Sequence, residues 1–145
     1  MREVPDPALD RSATVALNRD LWTAVNAAYT DADARRAWSS DEITWGLFKV
    51  PERELGVLGD LDGRDVVELG CGSAYLSGWL ARRGARPVGV DLTPAQLATA
   101  RRCQEEFGLS FPLVEANAEA VPLPDDSFDL VVSEYGAAPW CDPAR

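Results

Sequence analysis

The stretch "VVELGCGSAYLSGWL", Val66 to Leu80, joins a short β-branched run to an amphipathic segment through two glycines. This order predicts a buried strand, a tight turn and a helix. Gly70 and Gly72 would let the backbone turn sharply and approach a ligand without a Cβ between them. Glu68 lies two residues before Gly70. Because a carboxylate repels phosphate, we expect the turn to favour a different kind of ligand.

Predicted strands and helices continue to alternate on the carboxyl side of this turn. Apolar runs predict four strands, and amphipathic segments between the first three predict two helices. The strands are expected at 65–69, 86–91, 111–116 and 128–133, and the helices at 73–83 and 93–108. Strands that are apolar throughout and alternate with helices are typical of a parallel sheet covered on both faces. We therefore predict an α/β, doubly wound, mostly parallel sheet, built here from strands one to four.

The first half of the chain is predicted to be helical. Residues 1 to about 16 are interpreted as a loose leader, and apolar spacing predicts one helix from Asn18 to about Trp38. Residues 39–51 are interpreted as a connector with two exposed aromatic side chains, Trp45 and Phe48. We expect two parts, an N-terminal helical segment over residues 1–50 and the front of a ligand-binding domain over residues 51–145.

Composition excludes several classes of function. The chain has 145 residues, a formal net charge of −10 and no histidine. An acidic balance argues against nucleic-acid and anionic-membrane partners, since both are bound through Lys and Arg. Without histidine, Ser-His and Cys-His nucleophiles are excluded within this chain, and three scattered cysteines predict neither disulfides nor a metal site. With no apolar run long enough to cross a bilayer and a polar N-terminus, we expect a cytoplasmic location.

The acids are concentrated in the second half of the chain. Between residues 103 and 144 there are nine acids and no base, namely Glu105, Glu106, Glu115, Glu119, Asp125, Asp126, Asp129, Glu134 and Asp142. Most are explained by an acidic, solvated surface. Some of them would also suit the lining of a site for a cationic ligand.

Asp91 ends the second predicted strand, 21 residues after Gly70. At the carboxyl edge of an open sheet, such an acid accepts hydrogen bonds from a ribose diol. Both NAD and S-adenosylmethionine carry that ribose. The dinucleotide fingerprint requires a third glycine where Tyr75 stands, and a sulfonium tolerates Glu68 better than a pyrophosphate does.

These motifs resemble the class I S-adenosylmethionine-dependent methyltransferases, in particular the small-molecule group called type 11. The resemblance rests on "VVELGCGSAYLS", "PVGVDLTPAQLATAR" and "EANAEAVPLPDDSFDLVVS" in the family's order. It implies S-adenosylmethionine as cofactor, a small-molecule methyl acceptor, and an N-terminal segment that covers the cofactor, with Trp22 and Trp45 as candidates to close the site. It assigns the cofactor to Glu68, Gly70, Cys71, Gly72, Asp91, Leu92, Asn117, Ala118, Ser133 and Glu134.

Several points stay open at this stage. Glu68 suits loop bracing as well as ligand contact, Asn117 suits a plain turn equally well, and no catalytic base is assigned. The family's sheet has more strands than the four predicted here, and "DPAR" at 142–145 suits the start of a helix. We therefore expect the front part of a longer domain, with an exposed fourth strand through which chains self-associate. The alternatives are a nicotinamide-dependent oxidoreductase domain and a non-catalytic cofactor-binding or interaction fragment.

Overall fold

The computed structural model describes residues 11–141 as helices in the first part and an α/β layer in the second. The helices are α1 (Arg11–Ala28), α2 (Asp31–Trp38), α3 (Glu52–Leu55), α4 (Tyr75–Ala81) and α5 (Pro94–Phe107). The strands are β1 (Thr44–Trp45), β2 (Val50–Pro51), β3 (Asp65–Leu69), β4 (Arg86–Asp91), β5 (Leu113–Glu115) and β6 (Leu130–Val132). The four predicted strands are thus confirmed as β3 to β6.

The main sheet is parallel, with the strand order β5-β4-β3-β6. The chain moves from β3 outward to β5 and then returns to the other side of β3. Because all four strands are parallel, their carboxyl ends lie along one edge of the sheet. In open α/β sheets a ligand binds at that edge, beside the reversal point. The α/β class and the parallel sheet are as predicted.

Helices α2, α4 and α5 share one face of this sheet. One core cluster joins Val66 and Val132 of the sheet to Leu76 and Leu80 of α4. A second joins α2 and α5, and Leu113 of β5 packs against it. By the strand register, these sheet residues all lie on the same face. The opposite face carries rows of apolar residues, and Val131 at its β6 edge is 60% exposed.

Trp38 fastens α2 to the layer. It is fully buried, and its indole Nε1 donates to the Ser73 carbonyl at 2.8 Å. Its ring packs against Phe107 and Phe111, with centroids 5.6 and 6.2 Å apart. A Cβ on Gly78 of α4 would lie 2.8 Å from the ring, so alanine at this position would have to displace the ring. The N-terminal segment is therefore part of the core that supports the glycine turn.

The prediction of one helix from Asn18 to Trp38 is wrong. Thr30 interrupts it by capping α2, since its hydroxyl accepts from the Asp33 N–H while the Asp33 carboxylate accepts from the Thr30 N–H. Such a reciprocal box satisfies two backbone donors that a continuous helix would bond internally. Helix α1 also begins at Arg11, so residues 11–16 are not a loose leader. The rest of that leader and the predicted helix start at 142–145 lie outside the described residues.

The predicted connector contains a small antiparallel hairpin, β1–β2, rather than a featureless loop. Trp45 is half-buried, and its Nε1 donates to Glu52 at 2.6 Å, so it is not exposed as predicted, whereas Phe48 is. Glu52 is buried and also accepts from the Leu58 N–H at 2.8 Å. One carboxylate thus ties the hairpin to the chain that enters β3. Among residues 11–141, no helix is long and apolar enough to cross a membrane.

Candidate functional site

The two motif glycines have different surroundings. Both have positive φ, +73° at Gly70 and +55° at Gly72. A Cβ on Gly70 would lie 2.3 Å from the Ala137 backbone nitrogen and 2.6 Å from the Gly136 carbonyl carbon. A Cβ on Gly72 would meet nothing closer than the Gln96 side chain at 3.7 Å. Gly70 therefore admits protein backbone, and Gly72 is the glycine with room for a ligand beside it.

Asp91 lies beside this open glycine. Its Oδ2 accepts from the Gly72 N–H and its Oδ1 from the Thr93 N–H, both at 2.8 Å. The spacing of Thr93 and Gln96 predicts a capping box, but Thr93 makes no side-chain cap, so this prediction is wrong. The Thr93 amide bonds Asp91 instead. Burial raises the pKa of Asp91, and these hydrogen bonds oppose the rise. The Thr93 side chain also bonds Asp91. Because an ionised carboxylate has about four acceptor positions, Asp91 can still accept from a further hydroxyl donor.

Glu68 stabilises the turn by bonding the helix that follows it. It is 2% exposed, and its Oε2 accepts from both the backbone N–H and the hydroxyl of Ser77 in α4. Burial raises its pKa to about 7, opposed by the Ser77 hydrogen bonds and supported by the negative charge of Asp91. Of the two roles that the sequence left open for Glu68, loop bracing is the one that these bonds display.

Cys71 is a packing residue in this structure. Its side chain is 3% exposed within the cluster that joins α2 to α5. Burial, with the charges of Glu68 and Asp91, raises the pKa of the thiol well above its usual range. Such a thiol is protonated and a poor nucleophile. The assignment of Cys71 to the cofactor, which the resemblance implies, stays a prediction.

The ends of β5 and β6 carry the remaining predicted contacts. Asn117 and Ala118 are half-buried, and Asn117 Oδ1 accepts from the Glu119 N–H at 3.1 Å, which forms a turn. Ser133 Oγ donates to the Leu69 carbonyl at 2.9 Å. Glu134 Oε1 accepts from the Gly46 N–H of the hairpin at 2.9 Å. These polar groups therefore build the edge itself, and contact with a cofactor at them stays a prediction.

Helix α1 passes beside the same edge. Arg19 Nε donates at 3.2 Å to the carbonyl of Leu92, a residue that the resemblance assigns to the cofactor. Trp22 meets Trp140 edge to face, with centroids 5.3 Å apart. The lid role remains a prediction, but α1 is in contact with the carboxyl side of β4 and with the segment after β6.

Three residues near the edge were not singled out as site residues by sequence. Gln96 faces Gly72, Ser77 holds Glu68, and Tyr75 begins α4 half-buried. Burial and the charges of Glu68 and Glu134 raise the pKa of Tyr75 to about 12. The spacing of Gln96, three residues after Thr93, favours capping and gives no sign of a site residue. The charged groups that act on Tyr75 are carboxylates, so this end of the edge favours a cationic ligand.

Comparison with known proteins identifies the family of this chain. A family model described as "Methyltransferase domain" (type 11) matches residues 67–145. Demethylmenaquinone methyltransferase of Thermus thermophilus is 34% identical over 77% of this chain and 45% of its own length. Malonyl-[acyl-carrier protein] O-methyltransferase of Serratia marcescens is 32% identical over 79% of this chain and 43% of its own length. The chain thus spans less than half the length of these two relatives.

A solved structure shows the same fold. A SAM-dependent methyltransferase from Aquifex aeolicus superposes with a TM-score of 0.51 at 20% identity, over 57% of this chain and 46% of the other. At that identity the likeness concerns the fold alone. The family match covers more than half of the chain and begins inside β3, at the strand that leads to Gly70. The chain belongs to the methyltransferase domain family.

Proposed function

We propose that this chain provides the S-adenosylmethionine-binding part of a methyltransferase that acts on a small molecule. The observation that carries the proposal is the contact between Asp91 and Gly72, 2.8 Å from Oδ2 to N, beside a glycine with open space. It joins a ribose-type acceptor to a turn that a ligand approaches closely. The chain's membership of a methyltransferase family supplies the reaction class.

The residues at this edge fit such a cofactor by their chemistry. Asp91 would accept from the ribose hydroxyls, and Gly72 would approach the same part of the molecule through its backbone. Leu92 would pack on the adenine. Asp91 lies close enough to Glu68 for its negative charge to act on that group, and a carboxylate at this position suits a sulfonium. When bound, the cofactor supplies an already activated methyl group, so positioning and exclusion of water are the protein's main contributions.

The nicotinamide alternative has less support. Tyr75 begins α4 at the position where the dinucleotide fingerprint has its third glycine, and it is half-buried. Ala74, the residue before it, already adopts φ +57°, so the left-handed backbone of this turn does not depend on a glycine at position 75. The relatives above are both named as methyltransferases, for demethylmenaquinone and for malonyl-acyl carrier protein. A small-molecule or carrier-bound acceptor follows as the proposed substrate class.

Calorimetric titration with S-adenosylhomocysteine, S-adenosylmethionine and NAD tests the cofactor. The informative variant is Gly72→Ala, because its Cβ would enter the space proposed for the ligand. Gly108→Ala is its matched control, since Gly108 has a similar φ of +64° and nothing within 4 Å, at the end of α5. We expect Gly72→Ala to weaken S-adenosylhomocysteine binding at least about tenfold, with Gly108→Ala unchanged.

Two results would contradict the proposal. One is equal affinity of both variants and the native chain for S-adenosylhomocysteine. The other is binding of NAD in preference to it. Gly70 is unsuitable for this test, because a side chain there would collide with Gly136 and Ala137 rather than with a ligand.

A further inference from the structure

The polar residues of the sheet edge have a definite order. From one side to the other come Asn117 after β5, Asp91 at the end of β4, Gly72 after β3 and Glu134 after β6. On the proposed function, the ribose lies at Asp91. The resemblance implies that the adenine lies on the β5 side, beside Asn117 and Ala118, in which case the cofactor extends along the edge toward β6. The methyl acceptor would therefore approach from the β6 side.

The hairpin β1–β2 lies at that side and is held there by hydrogen bonds. Glu134 Oε1 accepts from the Gly46 N–H at 2.9 Å, which ties the turn of the hairpin to the end of β6. At the base of the hairpin, Trp45 Nε1 donates to Glu52, which also accepts from Leu58. Trp45 packs against the core cluster that contains Val132 of β6. The hairpin is therefore a fixed neighbour of the site.

The tip of this fixed hairpin is apolar and exposed. Leu47 is 83% and Phe48 93% exposed, the highest values among the large hydrophobic side chains of the described residues. The tip turn is closed by the Lys49 N–H, which donates to the Gly46 carbonyl at 3.0 Å, and Lys49 has a φ of +50°. A non-glycine residue in that region stores strain, which the surrounding bonds must hold. The backbone that carries the two apolar side chains is thus held beside the end of β6.

We propose that the hairpin forms the acceptor side of the site and that Leu47 and Phe48 bind an apolar part of the methyl acceptor. This inference rests on the proposed function. The tip is continuous with the proposed cofactor site, since Gly46 and Glu134 join it to the same edge that carries Asp91. The acceptor class is therefore a molecule with an alkyl, prenyl or aromatic portion of several carbons beyond the atom that receives the methyl group.

The test measures how affinity depends on the apolar portion of a probe. The probes are 4-methylcatechol and 4-butylcatechol, titrated by calorimetry in the presence of saturating S-adenosylhomocysteine. Full burial of a methylene is worth up to about fourfold in affinity. With the three added methylenes partly buried, we expect about tenfold tighter binding of the butyl probe to the native chain.

Two variants locate this gain. In Leu47→Ser/Phe48→Ser the tenfold gain should fall below about threefold, since the apolar contact is lost. Val57→Ser is the matched control, because Val57 is 61% exposed and lies in the chain between α3 and β3, away from the hairpin tip. It should keep the full gain. All three positions are exposed, so neither variant disturbs the core.

Several outcomes would overturn the inference. If S-adenosylhomocysteine binds but the native chain gains nothing from the butyl group, the inference fails and the proposed function stands. An equal gain in the double variant and the native chain also refutes it. If S-adenosylhomocysteine does not bind, the proposed function fails and the inference falls with it. If the native chain is a dimer, only the double variant is a monomer and the butyl group brings no gain in affinity, then the tip binds a second copy of this chain instead.

Discussion

Replacing Glu68 with glutamine should remove a specific pH dependence of stability. Glu68 is 2% exposed, and burial raises its pKa from 4.5 to about 7. The folded chain therefore retains this proton at a pH where the unfolded chain has lost it. For a carboxyl with a raised pKa, the stabilising contribution is complete below pH 4.5 and is lost as the pH rises through about 7. Glutamine keeps the acceptor for Ser77 but cannot ionise.

The size of the effect follows from the two pKa values. Each pKa unit corresponds to about 1.4 kcal/mol. Integrated from pH 5 to pH 8, the rise from 4.5 to about 7 makes the native chain lose about 2.5 kcal/mol through this one group. Other titrating groups are present in both proteins, so they largely cancel in the difference between native and variant.

The assay is urea unfolding of native and Glu68→Gln chains at pH 5, 6, 7 and 8, followed by tryptophan fluorescence. The difference in unfolding free energy should shift by about 2.5 kcal/mol in favour of the variant across that range. Ser77→Ala supplies a second arm. Its hydroxyl stabilises ionised Glu68, so its removal should move the decline to higher pH. If the unfolding free energies of the native and Glu68→Gln chains depend on pH in the same way, Glu68 is not a buried carboxyl with a raised pKa.

Three further predictions concern the packing around the turn. Gly70→Ala should destabilise by about 3 kcal/mol in urea unfolding, because its Cβ would lie 2.3 Å from backbone at a φ of +73°; a loss under about 1 kcal/mol would contradict that packing. Gly78→Ala should destabilise the chain by about 1 kcal/mol, although alanine has the better helix propensity, because its Cβ would clash with the Trp38 ring. This cost should vanish in a Trp38→Leu background. Additive costs in the double-mutant cycle would exclude a clash with that ring. Val131→Lys should change the free energy of unfolding by less than about 0.5 kcal/mol, since Val131 is 60% exposed on the edge strand. It should lower any self-association measured by sedimentation equilibrium. Unchanged association would exclude the β6 edge as the contact between chains.

The strands and the two helices of the α/β layer were predictable because their determinants are local. The apolar run at 65–69 and the glycine at its end are contiguous in sequence, and Pro94 and Gly108 bound α5 as predicted. The hairpin β1–β2 was missed because each strand has only two residues, too few for any periodicity to show. Its formation depends on Glu52, which bonds Trp45 and Leu58 through tertiary contacts.

The difference between Gly70 and Gly72 was equally out of reach. Both residues look alike in the motif, and their surroundings differ only because the backbone of Gly136 returns onto Gly70 from 66 positions later in the chain. The interruption of the first helix at Thr30 was readable in principle, since Thr30 and Asp33 have capping-box spacing. There the apolar spacing of the flanking residues favoured a continuous helix.

The carboxylates at this edge serve the fold and the proposed ligand together. Asp91 holds the Gly72 amide at 2.8 Å, so the acceptor proposed for the ribose also sets the position of the glycine that faces it. Removing Asp91 would therefore weaken binding through two causes that affinity alone does not separate. Gly72→Ala leaves the Asp91 acceptor in place and fills only the space beside it, and Gly108→Ala repeats its backbone strain elsewhere. A loss confined to Gly72→Ala would thus locate the cofactor, whereas a loss in Asp91→Ala alone would show only that the turn had moved.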